Sequence, residues 1–192
     1  METDRIISEN ELLNAYMNGF FPMAHPEEGN KIYWHKPDER GVIPLDRFKA
    51  SKNLMRLYRN GKFQFRVNGN FEAVISACSQ REETWISDEI IESYCNLNKI
   101  GYAYSFETWL DNELVGGLYG IAIGKAFFGE SMFHKVSNAS KLALVFLVEK
   151  LVEQNFVLLD TQYLNDHIKQ FGAIEISAEQ YEDLLSKALA TV

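Results

Sequence analysis

The segment from residue 102 to 133 constrains the fold more than any other. Three runs rich in aromatic and aliphatic residues, 102–110, 113–123 and 126–133, are separated only by Asp111-Asn112 and Gly124-Lys125. Two-residue turns of this kind make neighbouring strands antiparallel, so the segment reads as a meander. A sheet needs a cover. Residues 138–154 supply one, reading as an amphipathic helix with Leu144, Leu147 and Leu151 at helical spacing. An apolar strand over 156–160, a short helical piece to Phe171, a strand at 173–176 and a last helix opened by a Ser177/Gln180 capping box complete the chain. Antiparallel strands followed by helix, strand and helix specify an α+β or mixed α/β layer, with a ligand cleft expected near strand ends.

The first hundred residues are patterned differently. Ser8-Glu9-Asn10-Glu11 has the spacing of a capping box ahead of a short helix that stops at Gly19. Residues 20–46 carry turn chemistry interrupted by aromatics and read as loop-rich. Residues 63–67 alternate like a half-buried strand, while Asn70–Ser79 and Ser87–Ile100 read as helices, the second closed by Gly101. The change of pattern places a soft boundary near residue 100, anywhere from 65 to 100, between an N-terminal domain (1–100) and a C-terminal one (101–192). Cys78 and Cys95 have neither metal-ligand nor disulfide-scaffold spacing and read as packed thiols. With 46% hydrophobic and 24% charged residues, no apolar run long enough to cross a bilayer and no hydrophobic signal segment, the chain reads as a globular cytoplasmic protein without a membrane partner.

Charge is unevenly spread. The chain carries a net −8, which by itself repels nucleic acid, yet residues 31–66 hold ten cations against three anions. A local surplus of seven is the footprint of a phosphate-backbone contact or of a solvated helix face.

Two places read as chemistry. Glu130 interrupts a run otherwise fit for a buried strand, where an unpaired charge costs several kcal/mol, so it needs a partner or a job. Asp160-Thr161-Gln162 closes an apolar strand, and alternation puts Asp160 and Gln162 on one face. A carboxylate beside a carboxamide suits orienting and deprotonating an amine or holding an oxyanion; the alternative is a turn cap. His167 is either a base, a ligand or a structural histidine. Phosphate-loop, nucleophile-elbow, zincin and dinucleotide fingerprints are all missing from the sequence. Gly116-Gly117-Leu118-Tyr119-Gly120 lies within a strand-like stretch and reads as a close backbone approach.

In order along the chain stand Gly19-Phe20-Phe21-Pro22, Trp34 with Pro37 and Arg40, Thr84-Trp85-Ile86, Ser105-Phe106-Glu107-Thr108-Trp109, Leu114 to Gly120, Gly129-Glu130-Ser131-Met132-Phe133, Asn138-Ala139-Ser140-Lys141, Asp160-Thr161-Gln162 and Asn165-Asp166-His167. This assembly, from about residue 7 to 185, resembles the leucyl/phenylalanyl-tRNA-protein transferases. The resemblance implies transfer of leucine or phenylalanine, with methionine a further donor, from aminoacyl-tRNA to a protein's N-terminal arginine or lysine, feeding N-end degradation. It also implies a small N-terminal domain and a C-terminal domain similar to the GNAT acyltransferase fold. An aminoacyl ester already holds the energy for amide formation, so no metal, ATP or other cofactor is expected, and the protein is expected to act as a monomer.

By the same resemblance Asp160 orients and helps deprotonate the amine and Gln162 supports it. Leu118, Met132, Leu144, Leu147, Leu151 and Leu159 form the side-chain pocket with Glu130 beside it, and Trp85 stacks on the terminal adenosine. Met23, Asn165 and Asp166 are further substrate contacts, with Glu130 or Asp166 the anion for the acceptor's cation. Lys49, Lys52, Arg56, Arg59 and Lys62 grip tRNA phosphates. The chain departs from the family pattern at Met23, where a tryptophan is usual, at Tyr102-Ala103-Tyr104, at Thr161 and at Leu147. These changes bear on donor preference more than on reaction class. Two other readings fit the residues: a transferase of the same kind with a different acceptor, and an RNA-binding module without activity.

Overall fold

The computed structural model describes the backbone of Glu2–Thr3 and residues 5–80 and 84–190. The elements run β1 (Glu2–Thr3), α1 (Glu9–Met17), β2 (Phe21–His25), β3 (Lys31–His35), β4 (Glu39–Val42), α2 (Lys52–Arg59), β5 (Gln64–Val67), α3 (Phe71–Ser79), α4 (Asp88–Lys99), β6 (Ala103–Leu110), β7 (Glu113–Ile123), β8 (Ala126–His134), α5 (Ala139–Glu153), β9 (Leu158–Gln162), α6 (Asp166–Lys169), β10 (Ile174–Ser177) and α7 (Ala178–Leu189). The architecture is mixed α+β. The meander forms as its turns require, with β6 paired to β7 and β7 to β8, all antiparallel. Both capping boxes are present, at Ser8/Glu11 and Ser177/Gln180.

Seven strands make the main sheet in the order β10-β4-β9-β8-β7-β6-β5, and β1-β3-β2 form a small second sheet. Residues 20–46 are therefore not a loop-rich segment: β2 and β3 pair as a hairpin, and β4 enters the main sheet between β9 and β10. Turn residues at 26–30 mark the hairpin's tip and carry no information about the short strands they join. The division expected near residue 100 falls inside this one sheet, because β4 and β5 pair with strands that follow it.

Adjacent side chains alternate between the two faces, and both faces are covered. Phe128, Tyr119 and Ile121 pack with α1, α3, α4 and α7, while Phe127, Leu118 and Phe106 pack with α2, α5 and α6. Helix α5 is not amphipathic as its spacing suggested. Nine of its fifteen residues are buried, because the sheet lies on one side and α2 and its flanks lie on another. Its first turn sits directly on β7: a Cβ on Gly116 would stand 2.5 Å from the Ala139 Cβ, which explains one glycine of the glycine-rich strand.

Among the described strands only β8 and β9 pair in parallel, and their pairing stops at Phe128 opposite Asp160. Beyond that point the two strands part. The parting is anchored by Arg40 of β4, whose Nε lies 3.0 Å from Asp160 Oδ1 and whose Nη2 lies 2.8 Å from Oδ2. Arg40 is 1% exposed and Asp160 0%. Nη1 donates to the Gly19 carbonyl at 2.9 Å, and the guanidinium lies between the rings of Phe21 and Tyr181, 4.7 and 4.6 Å from their centroids. The pair thus ties β2, β4, β9 and α7 together. Removing one member leaves the other charge buried without compensation, which costs about 3–5 kcal/mol. Arg40→Met is expected to lower unfolding stability by about that much in urea titration, and Arg40→Met with Asp160→Leu to recover most of it. A loss under about 1 kcal/mol in the single variant would class the pair with exposed bridges and remove it as an anchor.

Candidate active site

The parted ends of β8 and β9 open a cavity of about 490 Å³, a size suited to a small ligand. Its apolar wall comes from Leu118 of β7, Met132 of β8, Leu144 and Leu147 of α5 and Leu159 of β9, with Ile43 and Ile168 beside them. Its polar wall carries Glu130, Ser131, Ser140, Thr161, Asn165 and His167, and Trp85 stands at the same cavity. Trp85 reaches it from the loop before α4, held by a bond from the Ala24 backbone N–H to the Trp85 carbonyl at 3.0 Å.

Glu130 owes its direction to a bulge. Tyr119 pairs with Ser131 and Gly120 with Gly129, so Glu130 is the extra residue of β8 and its side chain leaves the regular alternation. Its Oε1 accepts from Tyr16 Oη at 2.6 Å and from Gln162 Nε2 at 2.9 Å. Tyr16 is itself bonded to Tyr94. Burial pushes the Glu130 carboxyl up to about 7, against the opposing pull of Tyr16 and Gln162; the nearby Asp160 charge raises it further. Burial likewise raises both tyrosines, which therefore stay protonated and donate.

Gln162 closes β9 with φ +62°, a left-handed conformation that costs a residue with a Cβ about 1–3 kcal/mol. What holds it is Asp160: the Gln162 backbone N–H donates to Asp160 Oδ1 at 2.7 Å, while Tyr181 Oη donates to Oδ2 at 2.7 Å. Both oxygens of Asp160 are thus engaged by Arg40, Tyr181 and the strand end. Asp160 does not line the cavity. Asp160 and Gln162 meet through the Gln162 backbone N–H, and the Gln162 carboxamide bonds Glu130; of the three only Glu130 is among the described residues that line the cavity.

Of the residues singled out for substrate contact, the fold brings Trp85, Leu118, Glu130, Met132, Leu144, Leu147, Leu159 and Asn165 to this cavity. Three stand elsewhere. Leu151, one turn further along α5, lines a separate hollow of about 150 Å³ with Phe106 and Phe127, because α5 has by then passed over the closed part of the sheet. Met23 is partly buried against the core on the α1, α3 and α4 side and does not line the cavity. Asp166 is exposed and paired with Lys169 at 3.1 Å. Asn165 caps α6, its side chain accepting from the Ile168 N–H.

Sequence reasoning missed Ile43 and Ile168 on the apolar wall, and the roles of Arg40, Tyr16, Tyr94 and Tyr181. Arg40 was hidden in the basic block, and the tyrosines looked like ordinary core periodicity. Thr161, noted only as a departure, brings to the wall a buried hydroxyl with no hydrogen-bond partner among the described residues. Lys49, Lys52, Arg56, Arg59 and Lys62 are all exposed, and none is in an ion pair among the described residues. Lys52, Arg56 and Arg59 fall on one face of α2. No helix of the described residues is long and apolar enough to cross a membrane.

Comparison with known proteins identifies the family. The family model for the leucyl/phenylalanyl-tRNA protein transferases matches residues 42–186, and the model for that family's N-terminal domain matches residues 7–38. A leucyl/phenylalanyl-tRNA-protein transferase from Gloeobacter violaceus is 52% identical over 93% of this chain and 92% of its own. One from Paramagnetospirillum magneticum is 48% identical over 97% of this chain and 91% of its own. The solved structure of L-PGS from Bacillus licheniformis is similar over 95% of this chain and 71% of that one, at 13% identity and a TM-score of 0.48, too loose a likeness to carry an argument. The chain belongs to the leucyl/phenylalanyl-tRNA protein transferase family and is an aminoacyltransferase.

Proposed function

We propose that this protein joins leucine or phenylalanine, carried as an ester on tRNA, to the α-amine of proteins that begin with arginine or lysine. The observation that carries the reading is the meeting, in one cavity, of an aliphatic wall and the half-buried Glu130, whose carboxylate is bonded from behind by the Gln162 carboxamide. An unbranched-at-β apolar side chain such as that of Leu, Phe or Met fills the space between Leu118, Met132, Leu144, Leu147 and Leu159. Such a pocket ranks these chains only weakly, since one methylene is worth about 1–3 kcal/mol. Trp85 offers a face for the terminal adenosine, a stack worth roughly 1–3 kcal/mol per base. The exposed cations of α2 and its flanks, Lys49, Lys52, Arg56, Arg59 and Lys62, hold tRNA phosphates without reading sequence. The division of labour runs near residue 100: the earlier part supplies these cations together with Ile43 and Trp85, and the later part, a GNAT-like acyltransferase unit, supplies the rest of the acyl cavity. The protein works as a monomer in the cytoplasm, where charged tRNA is found.

The reaction exchanges an ester for an amide. The acceptor's α-amine attacks the ester carbonyl, the ester C–O bond breaks, and the ribose 3′ oxygen leaves with a proton. Gln162 donates its Nε2 hydrogen to Glu130, which leaves its carboxamide oxygen to accept from the amine N–H and aim the lone pair. Asp160 is a positioning residue that holds Gln162 in its left-handed conformation and does not itself meet the amine. Glu130, with a carboxyl near 7, takes the amine's proton and returns it to the leaving oxygen. Asp166, exposed between the cavity-lining Asn165 and His167, is the anion offered to the acceptor's cationic side chain.

Labelled Leu-tRNA and Phe-tRNA, incubated with peptides beginning in Arg, Lys, Asp or Ala, are expected to label the Arg and Lys peptides from both donors. Bound tRNA with no peptide labelled would reduce the protein to an RNA-binding module. Glu130→Gln is expected to lower kcat by about 100- to 10,000-fold, the usual worth of a general base, with the donor KM within a few-fold. Protonation disables the base, so wild-type kcat falls as pH drops below about 7. Stability has the opposite sense: a carboxyl raised from 4.5 to about 7 favours the folded state fully below its ordinary value and ceases to do so as pH rises through 7. The Tm of the wild type is therefore expected to fall relative to Glu130→Gln between pH 5 and 8. A gap independent of pH would remove the titration from Glu130.

Reversing the charges of Arg56 and Arg59 is expected to weaken tRNA binding and flatten the dependence of log K on log salt concentration. An unchanged slope would take α2 out of the tRNA contact.

A further inference from the structure

The acyl cavity ends along α5 at Ser140, and the next residue, Lys141, belongs to a different concavity. A groove of about 460 Å³ runs between α2 and the start of α5, with Arg56, Asn53 and Asn60 on the α2 wall and Lys141 and Asn138 on the α5 wall. No carboxylate is among its described lining residues. The Lys141 ammonium donates to the neutral Gln170 Oε1 at 3.1 Å and is in no ion pair among the described residues; the same is true of Arg56. Asn138 starts α5 at φ +68° and makes no capping bond, so its carboxamide is not consumed by the helix. On the far side of α2 a second groove, also free of carboxylates, is lined by Lys52, Arg56 and Arg59, and shares Arg56 with the first.

Concentrating cations without acids is costly on a protein of net −8, since uncompensated like charges repel, and the arrangement is relieved by a bound polyanion. Amide side chains between the cations suit an anion that also carries sugar hydroxyls, in other words a nucleic-acid backbone. Position along the chain says which part of it. Ser140 and Ile168 line the acyl cavity while Lys141 and Gln170 line the groove, so the two spaces are flank to flank across one turn of α5 and the short α6.

We propose that the groove between α2 and α5 holds the single-stranded phosphodiesters that immediately precede the donor's terminal adenosine, clamped by Arg56 from one wall and Lys141 from the other. The assignment rests on the aminoacyl-tRNA reading and adds to it a path for the 3′ strand from the basic face of α2 into the acyl cavity. Lys141 acts here as a positioning residue: it fixes the strand and thereby the ester, and touches no reacting atom.

The full chain is to be tested with two phenylalanyl donors, a short RNA ending in CCA and an aminoacyl-adenosine that has no phosphate. In Lys141→Gln and in Arg56→Gln the ratio of kcat/KM for the RNA donor to that for the adenosine donor is expected to fall about tenfold, and Lys141→Arg to restore it. Binding of the uncharged RNA, measured without any transfer, is expected to lose about 0.7 from its log-log salt slope in each glutamine variant. Ratio and slope both unchanged would overturn the groove. Transfer from neither donor by the unaltered protein would overturn the transferase reading instead, and the salt slope would then decide the groove alone.

Discussion

A guanidinium and a carboxylate kept from water between two aromatic rings decide where the sheet opens. Arg40 reaches from β4, a strand that precedes the meander by some sixty residues, and meets Asp160 on β9 at the point where β9 ceases to pair with β8. Burial makes that pair unforgiving. Each charge has given up hydration, so each is tolerable only with the other in place and with Gly19, Tyr181 and the Gln162 N–H completing the shell. The geometry of the strand end is thereby fixed before any substrate arrives.

From that anchor the polar network extends outward in one direction. Asp160 holds the Gln162 backbone, the Gln162 carboxamide meets Glu130, and Glu130 is presented by a bulge and steadied by Tyr16 and Tyr94. Opposite it lies a wall of leucines from α5, β7 and β9. The same parting of strands that leaves backbone unpaired also makes the hollow, so polar machinery and apolar receptacle are two consequences of one irregularity in an otherwise regular sheet.

Much of this was legible beforehand, and the reasons are local. Ser8 with Glu11, Ser177 with Gln180, and the two turns of the meander act over four residues or fewer, so their chemistry survives in the sequence. Asp160 and Gln162 were visible as a pair for the same reason. The hairpin of β2 and β3 was not, since five-residue strands among aromatics and turn formers leave little periodicity. Helix α5 was misread in a specific way: its leucine spacing was seen as one apolar stripe, while Ala143, Val145 and Val148 bury the rest of its surface. Leu151 followed the stripe and not the cavity, because helical phase says which side a residue faces and nothing about how far along the sheet the opening extends.

What the sequence determined alone was the meander with its covering helix, the caps, the family and the types of residue available for chemistry, all properties set by neighbours in the chain or by motif order. What tertiary structure decided was the use of those residues. One arginine of a basic segment was taken into the interior while five nearby cations stayed in water, and an aspartate set at a strand end became a support for the glutamine beyond it. Such choices depend on burial and on partners more than a hundred residues away, and desolvation, which settles them, is a property of the folded surroundings and of no stretch of sequence.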